Sequence, residues 1–146
     1  MATPSGTPAN TNFGTDIDCG PYDIPLIFGT CTGNKNLGNA LVRRLTTPRG
    51  ALALINPSYG PNYGTDIRSL LSSALTRNST SSMQAAIQAE CQKDPRVQSA
   101  AVTVVLNLGD PTHGSATVTI IVTTSNGPFP LVLSVDQLTV EILSIG

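Results

Sequence analysis

The sequence predicts an α+β domain, with three helices packed on one face of a small, mostly antiparallel sheet. Two observations predict it. Between residues 34 and 94 the apolar side chains recur at three- and four-residue spacing, the period of a helix with one buried face. After Arg96 the period changes: Val, Ile and Thr dominate, charges become rare, and clusters of Gly, Asn and Pro cut the chain into strand-length pieces. A length of 146 residues with 40 % apolar content suits one core.

Residues 1–15 are rich in Gly, Pro, Ser, Thr and Asn and bury too little to order alone, so they read as a flexible N-terminal arm before a single domain over 16–146. Residues 16–31 hold short apolar pieces (Ile24, Leu26, Phe28) broken by Gly and Pro, an irregular or briefly extended stretch tied down by those side chains. The first helix is capped by Asn34 and buries Leu37, Ala40, Leu41 and Leu45. Thr46-Thr47-Pro48-Arg49-Gly50 ends it, because Pro48 disfavours a helical Thr47 and Gly50 permits a tight reversal. Residues 51–55 read as a short strand and 56–64 as a loop. The second helix, over 66–75, carries Ile67, Leu70, Leu71, Ala74 and Leu75 as its stripe. The third begins where Ser81 and Gln84 have capping-box spacing, buries Met83, Ala86, Ile87 and Cys91, and stops at Asp94-Pro95. Residues 97–108 and 115–124 form a hairpin through the 109–114 turn. Asn126-Gly127-Pro128 breaks the chain, and 129–135 and 137–143 are the last strands. In the final one Leu138, Val140 and Ile142 alternate with Gln137, Thr139 and Glu141, one face buried and one wet.

Charged residues make up only 12 %, against the usual quarter, which favours a surface packed in an assembly. The net charge is −1 with a pI near 5.6. Lys35, Arg43, Arg44, Arg49, Arg68, Arg77, Lys93 and Arg96 are scattered, and there is no Trp, so nucleic-acid binding is not expected. Cys19, Cys31 and Cys91 match no zinc spacing and read as reduced thiols. The N-terminal sequence lacks the charged and apolar regions of a signal peptide, and no apolar run is membrane length. A protein of this kind stays in the cytoplasm unless carried out in a particle.

Catalytic chemistry has little to work with. The one histidine, His113, falls in the hairpin turn. No nucleophile elbow or phosphate loop occurs. Asp16, Asp18 and Asp23 lie in the irregular region without the Gly and terminal Glu of a calcium loop. Glu90 and Asp94 lie one helical turn apart, Asp110 is in a turn, and none stands among sugar-stacking aromatics as a glycosidase pair would. The residues therefore predict no enzyme, no catalytic or metal site and no cofactor.

Four elements in order resemble a known family: Phe13-Gly14-Thr15-Asp16 with Asn36-Leu37-Gly38-Asn39-Ala40-Leu41-Val42-Arg43-Arg44-Leu45; Thr47-Pro48-Arg49-Gly50; Tyr63-Gly64 before a helix carrying Leu70-Leu71; and Asp94-Pro95-Arg96-Val97 at a helix-to-strand junction. Over roughly residues 13–143 the chain is similar to the baseplate wedge family of contractile tails, which includes the W-like proteins of myophages and homologues in type VI secretion and extracellular injection systems. Two departures stand out. The family's Glu-Pro-Arg is here Asp94-Pro95-Arg96, and Tyr-Gly occurs twice, at Tyr59-Gly60 and Tyr63-Gly64.

The resemblance implies a fold similar to the conserved domain of tail sheath proteins and a structural role in the virion tail baseplate, after synthesis in the host cytoplasm. The partners it implies are the larger wedge proteins and the tail sheath protein, with the tube or hub as further neighbours, in about six copies per baseplate. Asp94, Pro95 and Arg96 would form the wedge junction. Arg96 has two readings: a planar contact with a partner, or pairing within the chain with Asp94 or Glu90. The strand Gln137, Leu138, Thr139, Val140, Glu141, Ile142 and Leu143 would pair with the sheath, or be merely internal. Two other functions stay open, a further sheath-like tail subunit and a peptidoglycan hydrolase, since some family members carry a lysozyme label.

Overall fold

A computed structural model describes residues 13–18, 29–109 and 114–146. Residues 1–12 of the expected arm, Cys19, Asp23, the anchors Ile24, Leu26 and Phe28, and Asp110 and His113 of the hairpin turn lie outside the described residues.

The fold is α+β. Strands β1 (Thr15–Ile17) and β2 (Thr30–Thr32) form a small antiparallel pair that leads into helix α1 (Gly33–Thr46). Helices α2 (Ile67–Arg77) and α3 (Ser81–Gln92) follow, and then β3 (Ser99–Asn107), β4 (Ser115–Thr124), β5 (Gly127–Val135) and β6 (Val140–Ile145). These last four make one antiparallel meander in sequence order. The period-two pattern fixes which face of the meander is inside. Ala100 and Val104 pair with Val122 and Val118, and Ile120 and Val118 with Leu131 and Leu133, so all lie on the inner face. That face meets Leu37, Leu41 and Leu45 of α1, Ile67 and Leu71 of α2, and Met83, Ile87 and Cys91 of α3 in one core. Each large side chain buried there stabilises the fold by about 1.5–3 kcal/mol. The outer face carries Ala101, Thr103, Val105, Thr119, Ile121 and Thr123, without a charge until Glu141 on β6.

Several expectations need correction. Residues 13–15 are not part of an arm: Phe13 is in the core, its carbonyl accepts from Asn36 Nδ2 at 2.7 Å, and Thr15 begins β1. Residues 51–55 are not a strand: Ala51–Leu54 is a 3₁₀ turn, closed by Ala53 N–H to Gly50 O and Ile55 N–H to Leu52 O. A second such turn spans Pro57–Tyr59. Asn34 is not the cap of α1: the helix starts at Gly33 and the flanking residue is Thr32. Ser81 and Gln84 make no capping box. Thr80 precedes α3, and Gln84 Oε1 accepts instead from the backbone N–H of Val104 at 3.0 Å.

The final strand is displaced. Asp136 accepts at Oδ1 from the N–H groups of Leu138 (2.7 Å) and Thr139 (2.5 Å), and at Oδ2 from the Thr139 hydroxyl. This Asx turn takes Gln137, Leu138 and Thr139 out of the strand, which starts at Val140. Leu138 is 75 % exposed, not buried. Val140 is buried and Ile142 half-buried, as the alternation requires. Leu133 pairs with Ile142 and Val132 with Ser144, so Leu143 is the extra residue of a β-bulge and is 53 % exposed.

Candidate functional site

The Thr-Pro-Arg-Gly turn and the Tyr-Gly loop lie far apart in sequence but are zipped together. Thr47 O accepts from the N–H groups of Thr65 and Asp66, and Gly50 N–H donates to Tyr63 O. Gly64 makes this approach possible: its φ is +97°, and a Cβ there would stand 2.4 Å from Thr47 O.

Both segments converge on Glu90, whose side chain is fully buried near the end of α3. Glu90 Oε1 accepts from Gly64 N–H at 2.8 Å and from Arg44 Nη1 at 3.2 Å. Oε2 accepts from Lys93 Nζ at 2.8 Å and lies 3.8 Å from Arg49 Nη2. Lys93 also donates to Asn62 O, Arg49 Nε donates to Gly64 O, and the Arg44 guanidinium stacks over the Tyr63 ring at 4.4 Å. Burial alone would push the Glu90 carboxyl up. The hydrogen bonds from Lys93, Gly64 and Arg44, with the Lys93 charge, outweigh it and hold the group below its ordinary value. Three cations on one carboxylate leave a surplus of two positive charges. A recess of about 240 Å³ opens beside them, between Arg44, Tyr63, Lys93 and the 60–62 loop.

The acidic-Pro-Arg junction lies one turn further along the chain. Asp94 is buried, and its carboxylate accepts at Oδ1 from Arg96 N–H and Nε, and at Oδ2 from Arg96 Nη2 at 2.7 Å. Arg96 Nη1 donates to Phe13 O. Of the two readings of Arg96, pairing within the chain is therefore what its guanidinium does here, and it ties the N-terminal strand pair to the helix-to-strand junction. Burial would raise Asp94, but the Arg96 hydrogen bonds and charge hold it below its ordinary value. Next to these carboxylates, burial and their charges push the Cys91 thiol up to about 12.

Of the expected strand-pairing residues, Val140, Glu141, Ile142 and Leu143 lie on β6 and Gln137, Leu138 and Thr139 in the turn before it. Among the described residues β6 ends the sheet, paired on one side only. Its end is held against α1, where Ile145 packs so close to Gly38 that a Cβ there would stand 2.9–3.3 Å from three of its side-chain atoms.

Glu90 is the residue that sequence reading missed. Placed near a helix end, it read as a solvated or paired carboxylate. The one available signal was that Arg44, Arg49, Lys93 and the Tyr-Gly loop all carry or adjoin the resembling motifs. Among the described residues, no group of three or more His, Cys, Asp or Glu side chains could hold a metal ion, and no helix is long and apolar enough to cross a membrane. Comparison of the chain with protein-family models, curated proteins and solved structures gives no match.

Proposed function

We propose that this chain is a structural baseplate wedge subunit of a contractile tail, phage-borne or in a related injection machine, which clips onto larger wedge proteins and starts the sheath by strand pairing. The observation that carries the reading is that the resembling sequence elements, spread from Asn36 to Arg96, fold into one connected cluster around Glu90 and Asp94. Motifs held together by mutual hydrogen bonds are what a shared structural purpose requires. A carboxylate held ionised by Lys93, Arg44 and the Gly64 amide is a poor proton donor at neutral pH, so Glu90 lends a hydrolase reading nothing.

The two sheet edges differ, and the difference supports strand addition at β6. The outer side of β3 is met by α3, whose Gln84 accepts from Val104 N–H. Among the described residues β6 has no strand beyond it; its end, at Ile145, packs on α1, and it carries a single charge, Glu141. Proteins blunt an edge they want unused with charge, bulges or cover. Here the bulge at Leu143 belongs to the ladder with β5, and the strand bears only one charge against a partner.

Leu143→Lys with Ser144→Lys tests the reading. Both residues are exposed, so the fold survives, and two lysines on an edge oppose strand addition. Electron microscopy of particles assembled with this variant is expected to show baseplates carrying bare tubes. Normally sheathed tails would overturn β6 as the sheath-starting edge.

A further inference from the structure

We propose that the loop of residues 48–64 is a docking site for an acidic segment of another protein, whose carboxylate is taken by Arg49 and Lys93 beside Arg44. The site needs no other part of the assembly reading: it follows from the charges on the page. Neutralising one buried carboxylate requires one cation, and Glu90 has three. Arg44 is the structural one, with a side chain only 17 % exposed that is hydrogen-bonded to Glu90 and stacked on Tyr63.

Arg49 is different. Its side chain is 55 % exposed and only Nε is engaged, with Gly64 O; its Nη2 stands 3.8 Å from Glu90, too far for a hydrogen bond. Its two terminal nitrogens therefore present an unfilled fork, the geometry that takes a carboxylate with two parallel bonds. Lys93, 34 % exposed, has two of its three protons committed to Glu90 and Asn62. The recess beside Lys93, between Arg44, Tyr63 and the 60–62 loop, is open to solvent and roomy enough for a carboxylate.

Two further observations select a protein as the source of that anion. The same loop holds Leu54 and Ile55 in solvent, 91 % and 83 % exposed on a 3₁₀ turn, beyond what a free small anion would need. A nucleic acid would need a track of cations matching its phosphate spacing, and the chain's net charge of −1 and scattered Lys and Arg supply none.

The test is a titration of the full chain at low salt with hexaglutamate peptide, followed by backbone amide shifts. Saturable shifts at Gly60, Asn62 and Gly64 are expected, reversed by added salt. Arg49→Gln is expected to weaken binding at least fivefold, while Arg77→Gln, which removes the same charge from the exposed end of α2, leaves it unchanged. Arg49 is largely exposed and touches the zipper only at Gly64 O and, at 3.8 Å, Glu90, so its variant is expected to stay folded with a cooperative thermal transition, which separates lost docking from lost fold. Shifts that do not saturate, or that are equal in Arg49→Gln and wild type, overturn the proposal. So does a thymidine oligonucleotide that produces the same shifts at the same concentration.

Discussion

At the scale of single residues the molecule turns on Glu90. A carboxylate taken out of water costs several kcal/mol unless its lone pairs are filled, and here both oxygens are engaged by cations and a backbone amide. Glu90→Gln keeps the shape but leaves Arg44 without its counter-charge. It is expected to lower stability by about 3 kcal/mol at pH 7, read by urea denaturation. The difference from wild type should shrink as pH falls through the lowered pKa of Glu90, where the wild-type carboxylate itself becomes protonated. Sequence reading could not single out this residue, because burial of one carboxylate among nine depends on segments 26 and 46 residues away. Arg96 was legible in part. Its spacing from Asp94 allowed the internal pair, but the third bond, to Phe13 O, required the N-terminal segment to return 83 residues across the fold.

At the scale of elements, regular pieces and irregular ones behaved differently. Helices α1, α2 and α3 lie where their apolar periods put them, because a 3.6-residue stripe needs only one buried face. The 51–55 segment did not follow its composition: after the reversal at Gly50 its Ala and Leu close into a 3₁₀ turn through local hydrogen bonds. The start of β6 was decided by the side chain of Asp136, which captured two amides the strand would have used. The duplicated Tyr-Gly is separated by environment. A Cβ at Gly60 meets nothing within 4 Å, whereas at Gly64 it would strike the carbonyls of Thr47 and Pro48. Both have positive φ, so Gly60→Ala is expected to cost about 1 kcal/mol of backbone strain. Gly64→Ala should cost more than about 3 kcal/mol, since the turn and loop must separate and uncover Glu90. Thermal midpoints of the two variants, measured side by side, check this; equal losses would mean that the zipper is not what Gly64 provides.

At the scale of the whole molecule, the two depressed carboxylates make stability depend on acid. Glu90 and Asp94 are both held below their unfolded values of about 4.3 and 3.9. Each therefore contributes stability that is fully present above its unfolded pKa and is lost as pH falls through its folded one. The thermal midpoint is expected to be flat from pH 8 to about 5 and to fall steadily below about 4. A midpoint that instead rose on acidification would contradict the buried ion pairs. The same scale holds the contrast between β3, whose Val104 amide is taken by Gln84 of α3, and β6, which ends the sheet among the described residues.

Pattern alone determined the α+β class, the three helices, the hairpin of residues 97–124 and a mostly antiparallel sheet, because each of these depends on local spacing of apolar side chains. It also brought together the motif residues by name, though not their purpose. The tertiary structure decided which carboxylate is buried, which edge of the sheet is covered, and that the Thr-Pro-Arg-Gly turn closes on the Tyr-Gly loop. These depend on contacts between residues distant in the chain, whose desolvation and hydrogen-bond energies exist only once the segments have met.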